Sequence, residues 1–378
     1  MPSGRSAAMA LFAMNLMSTG ADMCHARSAA AARIVATADV PSGAGDGHVG
    51  GISGLDYDQR QRAWLMISDD KSEHAPARAY RLRLRLAGDR QLAVDHITPV
   101  TLRSEAARAY PQPGHGSEAV DPEAIRFTPD GKDFLWSSEG DAADGFGASV
   151  KTSGRDGRVR ALVTLPGNLQ NRGRPNRTVE GLSFAPDGAL WVAMEAPLRG
   201  DGPVADADHA AVVRFTRLRA GRPPQQFAYR VDPVVRAVAH RLSDNGVSEI
   251  LALDAERLLI LERSGEQQDD GTFRFHCRLY LADFGGAPDV ADVAFLDTAQ
   301  PTSPKRLLVD FDALSPEASG NLEGMAWWPG TTSSRHNRKL VLVTDNNFDD
   351  RVVTRFVLID LPAHLLARDP RRLVDRFR

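Results

Sequence analysis

Acidic side chains recur at two fixed places along this chain. Glu123, Glu180, Glu249 and Glu323 each open a short apolar stretch, and Ser53 takes that place in a fifth copy. A second apolar stretch then ends in Asp69, Glu139, Glu195, Glu262 or Asp345. Paired carboxylates can pass protons or hold a hard cation. Two of them facing at about 5 Å repel by roughly 3 kcal/mol at an effective dielectric of 20. Gathering them at one point therefore requires arginines, protonated carboxyls or a bound cation. Oxygen ligands from Asp, Glu and Asn select calcium first and magnesium second, because calcium accepts the irregular geometry that separate loops supply. Asp345-Asn346-Asn347 adds neutral oxygens, although the run is not an EF-hand: Asp350 and Phe356 stand where glycine and the bidentate glutamate are required. Basic residues stand beside the same positions, namely Lys71, Arg78, Arg172, Arg174, Arg177 and Arg263. With a cation they would form a pocket for a small anionic, phosphorylated ligand. The competing reading is that the acids accept backbone hydrogen bonds and the arginines are solvated.

The elements that must position these residues are hairpins. Five segments align: Gly51–Asp58, Asp121–Phe127, Thr178–Phe184, Val247–Leu253 and Asn321–Trp327. Their partners are Trp64–Ser68, Phe134–Ser138, Leu190–Met194, Leu258–Leu261 and Leu340–Thr344, with turn signals such as Pro129-Asp-Gly131 and Pro186-Asp-Gly188 between. Glu180 lies seven residues before Asp187 and Glu195 eight after it. Residues equidistant from a turn face each other across an antiparallel pair, so each hairpin brings its two acids together at its open end. Successive units start 70, 57, 69 and 74 residues apart, too irregular for a solenoid. A β-propeller accommodates that irregularity in its outer strands and loops. A sandwich of unrelated hairpins gives no reason for the acids to recur. The pattern predicts an all-β, single-domain propeller of six blades, with five or seven as alternatives. Thr272–Ala282 and Arg306–Phe311 would supply a blade lacking the motif. Arg355–Asp360 would pair with Arg33–Thr37 to close the ring.

Composition bounds the rest. The chain has 378 residues, 42% hydrophobic and 25% charged, with a net charge of −3. Disorder is excluded, and a dedicated nucleic-acid binder would show a more basic balance. Residues 1–26 carry Arg5, an apolar run Ala7–Met17 and a small-residue exit, the pattern of a signal peptide, which would place residues 27–378 in the periplasm or outside the cell as a monomer. No stretch approaches membrane-spanning length. Two cysteines, Cys24 and Cys277, exclude a disulfide framework. Gly51-Ile-Ser-Gly-Leu and Gly114-His-Gly-Ser-Glu fail as nucleophile elbows at their last position, and zinc, P-loop and Rossmann motifs are missing.

The motifs in series resemble the phytase-like family, described as esterase-like activity of phytase. They include Gly51-Ile-Ser-Gly-Leu55, Ser68-Asp-Asp70, Asp121-Pro-Glu-Ala-Ile125 and Ser137-Ser-Glu-Gly140. They continue with Val179-Glu-Gly-Leu-Ser-Phe184, Glu195-Ala-Pro-Leu198, Leu261-Glu-Arg-Ser264, Asn321-Leu-Glu-Gly-Met-Ala326 and Thr344-Asp-Asn-Asn-Phe348. The resemblance implies a secreted or periplasmic propeller that hydrolyses phosphoric esters. Its implied active acids are Glu123, Glu139, Glu180, Glu195, Glu262, Glu323 and Asp345. The expectation is a calcium-dependent phosphoesterase. Glu123, Glu139, Glu262, Glu323, Asp345 and Asp69 would hold the cation, Glu180 or Glu195 would take the proton, and Arg177 or Arg263 would bind the phosphate. A non-catalytic binding propeller and a lactone or carboxylester hydrolase are the alternatives.

Overall fold

A computed structural model describes residues 31–368 except 42, 89, 116, 236–240 and 331–336; the expected signal peptide lies outside the described residues. Strand β1 (Arg33–Asp39) opens the chain and is set aside until the end. Four four-stranded antiparallel blades follow in sequence order. Blade 1 holds β2 (Ile52–Asp58), β3 (Ala63–Ser68), β4 (Arg78–Ala87) and β5 (Gln91–Thr101). Blade 2 holds β6 (Pro122–Phe127), β7 (Phe134–Ser138), β8 (Ser149–Ser153) and β9 (Val159–Val163). Blade 3 holds β10 (Val179–Phe184), β11 (Leu190–Met194), β12 (Ala211–Leu218) and β13 (Gln225–Val231). Blade 4 holds β14 (Ser243–Ala252), β15 (Arg257–Gln267), β16 (Phe273–Asp283) and β17 (Lys305–Asp310). The fifth combines β18 (Leu322–Trp327), β19 (Arg338–Thr344) and β20 (Arg355–Leu361) with β1, which pairs with β20 from Arg33↔Asp360 to Asp39↔Arg355. Inner strands β2, β6, β10, β14 and β18 touch in that cyclic order.

The propeller thus has five blades, not the preferred six. Thr272–Ala282 and Arg306–Phe311 are the third and fourth strands of blade 4 instead of a separate unit. The expected ring closure is present.

Why the strands stack this way follows from their two-sided burial. In β15, Leu258 and Ile260 pack toward blade 3, while Leu259 and Leu261 pack toward blade 5. Trp191 and Ala193 of β11 likewise face blade 4, and Leu190, Val192 and Met194 face blade 2. Period-two alternation with apolar residues on both faces suits a strand covered on each side. Five hydrophobic layers result, one between each neighbouring pair of blades. The tight hairpins form where the turn residues predict: Gly131 and Gly188 take φ of 63° and 85°. There the missing side chain allows a backbone other residues resist.

Candidate functional site at the propeller mouth

One device is repeated five times at the open ends of the hairpins. Each inner strand carries a register shift, at Ile52/Gly54, Pro122/Ile125, Val179/Gly181, Val247/Glu249 and Leu322/Gly324. A β-bulge re-aims the extra residue. The residues at the bulges are Ser53, Glu123, Glu180, Ser248 and Glu323. Opposite them, the residue just beyond the second strand is fixed by one recurrent backbone bond. Asp69 N–H donates to Gly51, Glu139 to Asp121, Glu195 to Thr178, and Asp345 to Asn321, at 2.7–3.0 Å.

These bulges and bonds bring the acids of blades 2 and 3 together. Asp121, Glu123 and Glu139 offer carboxylate oxygens within 4.8 Å of one another, and so do Glu139, Glu180 and Glu195. Glu139 belongs to both groups. All five are buried. One oxygen of Glu139 accepts from Thr178 N–H, while Oε2 is buried without a hydrogen-bond partner among the described residues. Burial and then the neighbouring charges hold Glu123, Glu139 and Glu180 well above the usual carboxylate range. Burial likewise lifts Glu195 to about 7, against the pull of Arg263 and Arg177. Donor chemistry here is oxygen only, with no nitrogen or sulfur ligand in either group, which fits a hard cation.

Blades 5 and 1 extend the cluster. Glu323 is ion-paired with Arg263, which also bonds Glu195 at 3.1 Å and Asn321 Oδ1 at 3.2 Å. Asn321 Nδ2 donates to Asp345 Oδ2 at 3.3 Å. The other Asp345 oxygen accepts from Ile52 and Asn347 N–H, so this carboxylate ties the top of blade 5 to blade 1. Asn346 Oδ1 does the same for Gly51 and Phe348 N–H. The expected ligand run is thereby engaged in loop-to-strand bonds. Asp69 is part of the acidic field: burial, then Asp345, Glu323 and Asp121, raise its carboxyl well above the ordinary value.

Blade 4 departs from the pattern, and its register explains how. In the other blades the last inner pair before the mouth is Ile52↔Ser68, Pro122↔Ser138, Val179↔Met194 or Leu322↔Thr344. In blade 4 it is Val247↔Glu262, so the mouth positions fall to Ser248 and Arg263. A one-residue offset sends side chains to the other face of a strand. Glu262 accordingly points sideways, accepting from Tyr229 OH at 2.6 Å, Lys305 Nζ at 2.5 Å and Asp232 N–H at 3.1 Å. It stands outside the converging acids. Glu249 drops below the mouth and meets Arg126 at 2.6 Å.

The basic residues separate into two sets. Lys71 bridges Asp121 and Asn176 Oδ1, each at 2.6 Å, and Arg177 pairs with Asp244 at 2.8 Å, so both border the mouth with Arg263. Arg78, Arg172 and Arg174 instead clamp loops: Arg78 binds Asp70 and the His48 carbonyl, Arg172 binds Asp201, and Arg174 binds the Pro197 and Gly202 carbonyls. Asp121, a member of the first acid group, escapes a repeat-based search because Gly51, Thr178 and Asn321 occupy its place in other units. Its one sequence signal is its spacing of two from Glu123. Cys277 is a buried free thiol pushed up to about 12 by burial. Among the described residues no helix is long and apolar enough to cross a membrane.

Comparison with known proteins adds a family. No curated protein matches the chain. Solved structures that resemble it include the catalytic domain of a Coprinopsis cinerea α-L-arabinofuranosidase, at 9% identity over 87% of this chain and 96% of that one, TM-score 0.37. An α-L-arabinofuranosidase from Podospora anserina follows at 10% identity, covering 88% and 98%, TM-score 0.42. A Penicillium chrysogenum α-L-arabinanase has 10% identity, 88% and 99% coverage, and TM-score 0.41. The phytase-like family, described as esterase-like activity of phytase, matches residues 47–348, which include every acid of the mouth; the chain belongs to that family.

Proposed function

We propose that this protein is an extracytoplasmic, divalent-cation-dependent phosphoric-ester hydrolase that works at the propeller mouth. The observation that carries the proposal is the pair of overlapping acid groups sharing Glu139, whose Oε2 is buried without a partner among the described residues. Once ionised, buried carboxylates at this density need a counter-charge. Asp121, Glu123 and Glu139 would hold the cation, with calcium the first choice for an all-oxygen set drawn from separate loops. When bound, it would polarise a phosphoryl oxygen and make a nearby water more acidic.

The chain's own groups do the remainder. Arg263 and Arg177 flank the acids and would bind the remaining phosphoryl oxygens, a geometry to which guanidinium is suited. Glu195 is already bonded to Arg263 and holds it in place. Glu180 has a carboxylate oxygen within 4.8 Å of those of Glu139 and Glu195 and would take the proton of the attacking water. The phosphorus–oxygen bond to the alcohol then breaks, and the alcohol leaves after gaining a proton from solvent.

The test combines elemental analysis, melting with and without chelator, and turnover of p-nitrophenyl phosphate, p-nitrophenyl acetate and a lactone. We expect bound calcium, a lower melting temperature with chelator, and loss of cation binding in Glu139→Gln. Glu180→Gln should lower phosphoester turnover at least 100-fold. A metal-free protein indifferent to chelator, or unchanged turnover in Glu180→Gln, overturns the proposal. Turnover confined to the acetate or lactone would replace the phosphoester with a carboxylic ester.

A further inference from the structure

Blade 4 carries a structure that the other blades lack. Its second strand, β15, runs for 11 residues, whereas the second strands β3, β7, β11 and β19 have five to seven, and β16 pairs with it along that whole length. Arg263, at the level of the mouth, pairs with Cys277, and the ladder continues through Ser264↔His276, Gly265↔Phe275 and Glu266↔Arg274 to Gln267↔Phe273. Four further residues at about 3.3 Å each raise this hairpin roughly 13 Å beyond the acids. It forms one wall of a cleft of about 910 Å³. Phe273 and Phe275 lie on that wall with their rings 6.2 Å apart and 24° from parallel. Asn321, Asp345, Asn347 and Val352 also line it, together with charged residues such as Asp270 and Arg351.

The cleft opens from the acid cluster itself. Asp345 and Asn321 belong to both, and the Arg263 guanidinium lies 5.8 Å from the centre of the Phe275 ring while bonding Glu195 and Glu323. A molecule whose anionic end reached Arg263 would therefore lay its other end along the aromatic wall. Phe273 is 44% exposed and Val352 47%, so both present apolar surface to water in the cleft. The volume suits a small organic molecule. The Phe273–Phe275 ring pair, with Val352 in the same cleft, offers a flat apolar surface that favours an aromatic or apolar group.

We infer that this cleft binds the alcohol portion of the substrate and selects an aromatic or apolar one, so the preferred substrate is an aryl or similarly apolar phosphoester. The inference rests on the phosphoesterase reading for the anionic end but not for the cleft. Phe273, Phe275 and Val352 act as specificity-determining residues and touch no reacting atom.

Titration calorimetry on the intact protein with calcium present, using 1-naphthylphosphonate, methylphosphonate and 1-naphthol, tests it. We expect the naphthyl phosphonate to bind at least tenfold tighter than the methyl compound, and 1-naphthol to bind measurably. Phe273→Ala and Val352→Asp, both at exposed positions, should each weaken naphthyl binding about five- to tenfold while melting like wild type. In kinetics, the ratio of kcat/KM for 1-naphthyl phosphate over methyl phosphate should fall by the same factor. Equal affinity for the two phosphonates, or naphthyl binding unchanged in both variants, overturns the cleft assignment even if phosphoesters are hydrolysed. Absence of phosphoester turnover with 1-naphthol still bound through Phe273 overturns the hydrolase reading and supports the cleft.

Discussion

At the scale of single residues, the least expected group is Arg126. It lies near the axis below the mouth and donates to the carbonyls of Leu55, Ile125, Ile250 and Met325, which belong to inner strands of four different blades. Its ion-pair partner is Glu249, which is fully buried. The pair closes the centre of the ring with polar groups where apolar side chains would leave those carbonyls unmatched. Burial raises Glu249 to about 8 from 4.5, with Arg126 pulling the other way. The folded state therefore keeps a proton that the unfolded chain releases above its lower pKa, and stability contributed here is lost as pH climbs from 4.5 to 8. Glu249→Gln removes that loss. Urea unfolding at pH 5, 7 and 9 should show the variant gaining on wild type between the first two values, by on the order of 2 kcal/mol, and by about half as much again by pH 9. A difference independent of pH would mean that Glu249 stays ionised in the folded protein.

At the scale of elements, the bulge is what converts a strand into a site. Without it, Glu123, Glu180 and Glu323 would follow the simple alternation of their strands; with it they turn to the mouth. Just after the bulge the inner strands crowd around the axis, which explains Gly54, Gly181 and Gly324. A Cβ on Gly54 would sit 2.7 Å from the Glu123 carbonyl oxygen, whereas one on Gly181 would first meet the Ile250 side chain at 2.9 Å. Backbone cannot yield as a side chain can, so Gly54→Ala should cost about 1–3 kcal/mol and Gly181→Ala less. Chemical denaturation of the two variants side by side checks the order; equal small effects would show that the strands have room. The hairpins, their turns and the facing acids were legible in the sequence because apolar alternation and Asp-Gly turns are local signals. The bulge was not, since it depends on how neighbouring strands pair. Aligning Glu249 with Glu180 set blade 4 one residue out of step: its bulge falls at Ser248, so Arg263 and not Glu262 takes the mouth position. The long β15–β16 hairpin escaped for a related reason: past Arg263 its residues are mixed polar and aromatic, and the second half resembled the start of another blade.

At the scale of the whole molecule, the ring depends on a contact between the two ends of the described chain. The Arg33–Asp360 bond joins residues 327 apart in sequence. Strand β1 covers the edge of β20, and Ala36 joins the layer between blades 5 and 1 with Tyr80, Phe356 and Leu358. Closing so long a loop costs conformational entropy that only the completed interface offsets. It follows that the four complete blades and the three strands of blade 5 can assemble before β1 docks, and that an undocked β1 leaves a long unprotected edge. Deleting Arg33–Asp39 should then lower the melting temperature by more than 10 °C and convert part of the protein to higher oligomers, read by calorimetry and size-exclusion chromatography. A peptide spanning Arg33–Asp39, added in excess, should reverse that shift by pairing with β20. The mouth acids lie on β18 and just beyond β19 as well as on blades 1 to 3, so the deletion should also weaken the proposed cation binding, although β1 carries none of the mouth acids. Full stability and full cation affinity without β1 would show that the blade-to-blade layers alone hold the ring.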